Sequence, residues 1–276
     1  MNKYPILSPD NREEILAFFE QNKYAVVSDA LSRDDMAVLN AFVDRSKGEI
    51  PREWGPDKLG VYSHGQILVH HPELDRFVQP EVSFDLVQAI MGPQTRFAQF
   101  DFRDVPAGKG DGQMHFHRDR PYLPTTQTEP ERPYECTYVC AIHYLSDVEA
   151  EDPCFCVVPN SGPYEKLEEA KAQLGPAYQE VPIRGPAGTL VLYDIAIFHT
   201  RLPGQRARAR RTLHHYYSRQ ASGPLTNWVL VPKRLAQHPD PGQRSFYSQW
   251  SEATQAYAES GFAEAFYQEH VLDKLT

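Results

Sequence analysis

The 276-residue chain nowhere strings together the roughly 20 consecutive apolar residues of a membrane helix, so no helical span is expected. It lacks a basic excess as well. Its 28 Lys and Arg face 37 Asp and Glu, a formal charge of -9, which speaks against a general nucleic-acid binder with a basic face. Cysteine is scarce: Cys136, Cys140, Cys154 and Cys156 lie within 21 residues of one another. The last two are separated by a single residue, closer than zinc knuckles use, and they sit in an apolar, strand-like run. They read as reduced core thiols. No internal repeat and no low-complexity linker divide the chain. Met1-Asn2-Lys3-Tyr4-Pro5 passes directly into a charged helical segment, without the order of a secretory leader, so a cytoplasmic location is expected by default.

What the chain does have is core material: 41% of its residues are hydrophobic and 12% aromatic. A chain of this length buries most of its apolar surface without disulfides or metals, so any metal is expected to be catalytic. The first part alternates helix, strand and helix. Asn11 is placed to cap a helix over 12–21, residues 24–27 form a short β-rich run, and Ser32 caps a second helix carrying Met36, Leu39, Phe42 and Val43. A polar stretch over 47–65 follows, then a helix predicted over 73–91. From Gln94 onward the texture changes to strand-length runs at 96–105, 112–119, 134–145, 155–159, 188–193 and 211–218, separated by Gly, Pro and Asp turns. A helix-like interruption covers 163–174, and the tail over 251–275 is again helical. Many short strands point to a β-sandwich or barrel. One domain is expected: mainly helical cover over residues 1–93, barrel core over 94–220, and a C-terminal extension with helices over 221–276.

The run Met114-His115-Phe116-His117-Arg118-Asp119 falls in the β region. Side chains alternate across a strand, which would put His115, His117 and Asp119 on one face. Burying a His and an Asp inside a barrel is costly unless a cation compensates. His117-x-Asp119 matches two ligands of the two-His, one-carboxylate arrangement that leaves three positions open on iron(II). Alone, the pair is equally what a solvated strand end would show. A third ligand must come from another segment, and residues 187–199 offer one: a tight turn, an apolar strand, a corner and then His199. Taken singly, His199 is as readily a capping or surface histidine.

Arg210 follows eleven residues later and opens a run in which Arg210, Thr212, His214 and Tyr216 share one strand face. The arginine fork suits a carboxylate, so an inward Arg210 implies an anionic ligand. The neighbouring Arg201, Arg206, Arg208 and Arg211 read as a solvated patch.

In their order and spacing these features resemble the phytanoyl-CoA dioxygenase (PhyH) family of iron(II)/2-oxoglutarate oxygenases, which includes ectoine hydroxylases. The features are Ser28–Ser32 after the first strand, His117-Arg118-Asp119, the run 137–145 before an acidic turn, and Val157-Val158-Pro159-Asn160-Ser161-Gly162. Residues 188–194 before His199 and Arg210-Arg211 complete the set. The resemblance implies a mainly β fold with helical cover (α+β), a double-stranded β-helix or jelly-roll, cupin-like barrel. It implies iron(II) held by His117, Asp119 and His199, with 2-oxoglutarate as cosubstrate and O2 as oxidant. Arg210 would pair with the distal carboxylate, Gln99 would lie on the cosubstrate, and Thr137 would make a second polar contact. The implied reaction is hydroxylation of an unactivated C–H of a small molecule, with release of succinate and CO2. In related halogenases a small residue replaces the carboxylate ligand, so Asp119 favours hydroxylation.

There are departures. The family's Gly-Pro-Asn-x-Ser loop is here Leu202-Pro203-Gly204-Gln205-Arg206, and Leu123 stands where ectoine hydroxylases have an aromatic residue. Two other readings remain open. One is a cupin-type dioxygenase or isomerase built on His115-x-His117 without 2-oxoglutarate, and the other is a non-catalytic ligand-binding member of the fold. Arg103, Arg118, Arg120, Tyr122, Tyr193 and Trp228 are candidates to line a pocket, and the cations among them suggest an anionic substrate. His70, His71, His143, His214, His215 and His238 are assigned to packing.

Overall fold

The computed structural model of the chain describes residues 4–122, 136–204, 208–219, 222, 225–226 and 229–247. The expected C-terminal helix over 251–275, Leu123, Trp228 and Arg206 lie outside the described residues. The helices are α1 (Arg12–Asn22), α2 (Arg33–Glu49), α3 (Ile67–His70), α4 (Glu81–Met91), α5 (Leu167–Leu174), α6 (Lys233–Ala236) and α7 (Pro241–Tyr247). The strands are β1 (Tyr24–Val27), β2 (Gly55–Pro56), β3 (Tyr62–His64), β4 (Thr95–Val105), β5 (Tyr138–Tyr144), β6 (Cys154–Val157), β7 (Val181–Ile183), β8 (Leu190–Asp194), β9 (His199–Leu202) and β10 (Arg210–Arg219).

Two antiparallel sheets face each other as a jelly-roll. The larger has the order β1-β8-β5-β10-β4-β3-β2 and the smaller β7-β6-β9. Alternation along each strand of the larger sheet sends its two sets of side chains to different layers. Tyr24, Val26, Cys140, Ile142, Val191 and Tyr193 enter the interior between the sheets. Ala25, Val27, Ala141, Leu192, Leu213 and Phe102 meet the helices, where Phe19, Leu39, Phe42, Val87 and Ile90 cover them. The large tyrosines keep their hydroxyls satisfied: Tyr144 donates to the Ile183 carbonyl at 2.9 Å and Tyr217 to that of Val78 at 2.7 Å. All four cysteines are unpaired and buried, as the apolar setting predicts. No helix among the described residues is long and apolar enough to cross a membrane.

Local signals explain most boundaries. Ser32 caps α2, its hydroxyl accepting from the Asp35 amide at 3.0 Å. Asn11 does not cap α1; its amide donates to Glu14 instead, at 3.3 Å. The helix expected over 73–91 is broken into a 3-10 turn at Pro72–Phe77 and α4, because Pro80 has no N–H to donate and disfavours helix before it. The N-terminal third is more than helical cover, since β1, β2 and β3 are strands of the larger sheet.

The strand expected over 112–119 does not form. This segment pairs with β9 only at the bridge between His117 and His199. Side chains of β9 take two of its other carbonyls: the Thr200 hydroxyl donates to Met114 at 2.8 Å and the Arg201 guanidinium to Gly112 at 3.4 Å.

Several histidines are packed into this core as neutral rings. His64 is fully buried between Phe42 and Trp54, with neither ring nitrogen hydrogen-bonded. Burial, then the charges of His71 and His70, lower its pKa to about 3. Burial likewise lowers His215 to about 4, against the pull of the Phe77 carbonyl. Between these values and the ordinary 6.5 the unfolded chain binds protons that the folded chain refuses, so stability falls as pH drops through that window. Each such ring steepens the fall by up to about 1.4 kcal/mol per pH unit. Urea unfolding between pH 4 and pH 6.5 should show this slope, and His64→Phe should flatten it by close to one proton. An unchanged slope in the variant would show that His64 is not the group being titrated.

Candidate metal centre

His117 and His199 face each other across the bridge, each backbone N–H donating to the other's carbonyl oxygen at 2.9 Å. Two residues further on, the Asp119 amide donates at 3.2 Å to the carbonyl of Ile195, which lies between β8 and β9. A segment that is not a strand is thereby held against β9 with its functional side chains turned toward His199.

Both imidazoles are oriented by the same device. The Nδ1 of His117 lies 3.0 Å from the His115 carbonyl, and the Nδ1 of His199 lies 3.0 Å from the Ile197 carbonyl. A ring nitrogen against a carbonyl oxygen must carry the proton, so each Nε2 presents its lone pair. The two Nε2 atoms lie 3.7 and 3.5 Å from the same oxygen, Oδ1 of Asp119. One donor atom from each of the three residues falls within 4.8 Å of the others.

Ligands about 2.1 Å from a common ion sit about 3–4 Å apart, so this spacing fits one metal. Asp119 Oδ2 is buried with no hydrogen-bond partner, which is costly for a carboxylate and is relieved by a cation. Burial pushes the Asp119 carboxyl upward, but the bond and charge of His199, with Arg103 and His117, hold it below its ordinary value. Burial, and then His199, lower His117, which keeps its ring neutral and able to ligate. The residues present therefore fit a divalent metal.

From these donors opens a cavity of about 420 Å3 between the two sheets. One wall is the inward face of β4 and β10, whose register places Gln99 opposite Tyr216, Asp101 opposite His214, and Val105 opposite Arg210. Along β4 a chain of polar contacts forms. The Gln99 amide donates to Asp101 at 2.7 Å, Arg103 pairs with the other Asp101 oxygen at 3.0 Å, and Arg103 also donates to the Tyr216 hydroxyl at 3.1 Å. His214 lies against Thr212 at 3.0 Å, and its pKa is pushed far down by burial and by Arg103 and Arg210. Val61, Met114 and Phe155 supply apolar wall.

Of the residues singled out by sequence, His117, Asp119, His199, Arg210, Gln99, Arg103 and Tyr193 all line this cavity. Thr137 is not among its lining residues. It precedes β5, and its carbonyl accepts from the Arg219 amide at the far end of β10. His115 does not share a face with His117; it is exposed and contributes only its carbonyl. Arg118 donates to the Gly162 and Glu165 carbonyls, Arg120 to that of Leu225, and the Tyr122 ring packs on Gly162.

The arginine run also divides. Arg208 is exposed and pairs with Asp147 and Glu149, and Arg211 pairs with Asp44 and Asp104. Arg201, by contrast, points into the cavity. Sequence reasoning missed Asp101 and Arg201 as cavity residues. Asp101 was findable, because it shares strand parity with Gln99 and Arg103.

Removing any one of the three donors should empty the centre. After iron(II) loading and dialysis, His117→Ala, Asp119→Ala and His199→Ala should retain well under one equivalent of metal, while His115→Ala should retain the wild-type amount. Metal loss in His115→Ala alone would move the centre to a different residue set.

Residues 19–211 match the profile of the family described as phytanoyl-CoA dioxygenase (PhyH). Among solved structures, the chain is similar to HygX from Streptomyces hygroscopicus with nickel, 2-oxoglutarate and hygromycin B bound. The two are 17% identical over 75% of this chain and 86% of that one, with a TM-score of 0.58. It is similar to SnoK, a non-haem α-ketoglutarate-dependent carbocyclase from nogalamycin biosynthesis, at 19% identity over 86% and 95% of the two chains and a TM-score of 0.63. It is similar also to SnoN, an epimerase from the same biosynthesis, at 17% identity over 80% and 88% and a TM-score of 0.62. At these identities the likeness is one of fold. No curated protein matches the chain significantly.

Proposed function

The chain belongs to the phytanoyl-CoA dioxygenase (PhyH) family, and from that premise we propose that it is an iron(II)- and 2-oxoglutarate-dependent oxygenase that hydroxylates a C–H bond of a small molecule. The observation that carries this reading is the convergence of His117, Asp119 and His199 on one cavity that also contains the buried Arg210. His117, Asp119 and His199 would hold the iron. Bound together, iron(II), 2-oxoglutarate and O2 supply an oxidation in which the cosubstrate leaves as succinate and CO2.

The protein's own residues have definable parts in this. The Nδ1 bonds of His117 and His199 fix the tautomer that leaves Nε2 free. Asp119 would fill the ligand position that a halide would need, which supports hydroxylation as the outcome. The Arg210 guanidinium is buried beside the Tyr144 ring, 5.6 Å from its centroid, and its fork suits the distal carboxylate of 2-oxoglutarate. Asp101 holds Gln99 and Arg103 in place on the cavity wall, so both present fixed polar groups to whatever lies between the sheets. Val61, Val105, Met114 and Phe155 give that space its apolar wall.

The volume of about 420 Å3 suits a small molecule together with the cosubstrate. HygX binds hygromycin B and SnoN a nogalamycin compound in structures of this fold, which supports a small-molecule substrate here. The earlier hint of an anionic substrate finds little support, since Arg118 and Arg120 are turned to backbone carbonyls and Arg103 is paired with Asp101. A cupin-type centre on His115 is disfavoured by that side chain's exposure.

The direct test is spectroscopic. Iron(II) and 2-oxoglutarate added without O2 should give a weak visible charge-transfer band, and admitting O2 should start slow succinate release even without substrate. Neither signal in the wild-type protein would reject the reading. Arg210→Ala should raise the 2-oxoglutarate KM on the order of a hundredfold or more, as loss of one partner of a buried charge pair costs about 3–5 kcal/mol. A KM that barely moves would remove Arg210 from the cosubstrate site.

A further inference from the structure

We infer that Arg201 is a second cosubstrate anchor, so that the distal carboxylate of 2-oxoglutarate is gripped by two guanidiniums from opposite sheets, Arg201 on β9 and Arg210 on β10. The inference rests on the 2-oxoglutarate reading above and deepens it.

Position along the strand comes first. His199 and Arg201 are alternate residues of β9 and therefore share its inward face. Arg201 pairs with Phe155 of β6, which lines the same cavity. Two residues of strand advance about 6.6 Å. That is comparable to the distance over which a five-carbon 2-oxo diacid separates its metal-binding end from its distal acid. Arg210 meets this place from the other side, opposite Val105 at the cavity end of β10.

Charge is the second observation. Among the described residues the cavity wall holds three arginines and three aspartates. Arg103 is paired with Asp101, and Asp119 belongs to the metal centre. Asp57 uses Oδ1 to accept from the Leu59 and Val61 amides at 2.7 and 2.9 Å, which fixes its turn. Among the described residues neither Arg201 nor Arg210 forms an ion pair. Arg201 Nη1 and Arg210 Nε are buried with no hydrogen-bond partner, and Arg201 keeps only a long bond from Nη2 to the Gly112 carbonyl at 3.4 Å. Two neighbouring guanidiniums with buried, unused N–H groups are unfavourable as they stand and become favourable around a carboxylate.

The test compares two ligands. Calorimetry on anaerobic, iron(II)-loaded protein would measure binding of 2-oxoglutarate and of 2-oxobutanoate, which lacks the distal carboxylate. Arg201→Gln should weaken 2-oxoglutarate by about tenfold or more, the loss of a hydrogen bond to a charged group. It should leave 2-oxobutanoate unchanged, and Arg201→Lys should recover part of the loss. A 2-oxoglutarate affinity within about twofold of wild type in Arg201→Gln overturns the inference. So does equal weakening of both ligands, which would mark Arg201 as a support for the Gly112 segment. If the wild-type protein binds neither ligand, the cosubstrate reading itself fails, and this inference with it.

Discussion

The two backbone hydrogen bonds between His117 and His199, both 2.9 Å, are what the rest of the site depends on. The segment that carries His117 and Asp119 forms no strand of its own, and its neighbouring carbonyls are taken by the side chains of Thr200 and Arg201 on β9. Together with the bond from the Asp119 amide to the Ile195 carbonyl, the bridge brings Asp119 Oδ1 to 3.5 Å from the Nε2 of His199. With it, two segments far apart in sequence present three donors to one point. A displacement of an ångström would be expensive in such a centre, because ligation and reactivity both depend on geometry at that scale. The bridge sits on β9, which is itself paired to β6, so the rigidity of the smaller sheet is passed directly to the metal ligands.

The larger sheet provides the other half of the site by separating polarity across its two faces. On β4, Phe100 and Phe102 go to the helices, while Gln99, Asp101 and Arg103 go inward. On β10, Leu213 and Tyr217 go to the helices, while Arg210, His214 and Tyr216 go inward. An interior this polar is tolerable only because its groups compensate one another. Asp101 satisfies Gln99 and Arg103 together, Tyr216 takes a further Arg103 proton, and His214 is kept neutral. Among the described residues, the charged groups of the cavity left with unpartnered buried atoms include Asp119 at one end, through one oxygen, and Arg201 and Arg210 at the other, through N–H groups. A metal would complete the first and an anion the second. A 2-oxo diacid bridging them would satisfy both at once.

Much of this was legible in the residues. The alternation in 96–105 and 211–218 specified β4 and β10 and their inward faces, and Arg210 followed from that parity. His117-x-Asp119 and His199 pointed to three residues whose possible ligand atoms converge, although the spacing could not say that a bridge rather than a strand would join them. Short strands escaped because their partners are remote: β9 has four residues, β7 three, and β2 two. Arg201 was hidden for a related reason. In sequence it is one basic residue in a run of them, and only the pairing of β9 with β6 turns it inward. Thr137 precedes β5 and is not among the residues lining the cavity.

A crystal structure of the protein loaded anaerobically with iron(II) and 2-oxoglutarate tests the central claim most directly. The account predicts a single metal bonded to Nε2 of His117, Nε2 of His199 and a carboxylate oxygen of Asp119, with 2-oxoglutarate beside it and its distal carboxylate on Arg210. A metal bound through His115, or a cosubstrate lying away from Arg210, would contradict it.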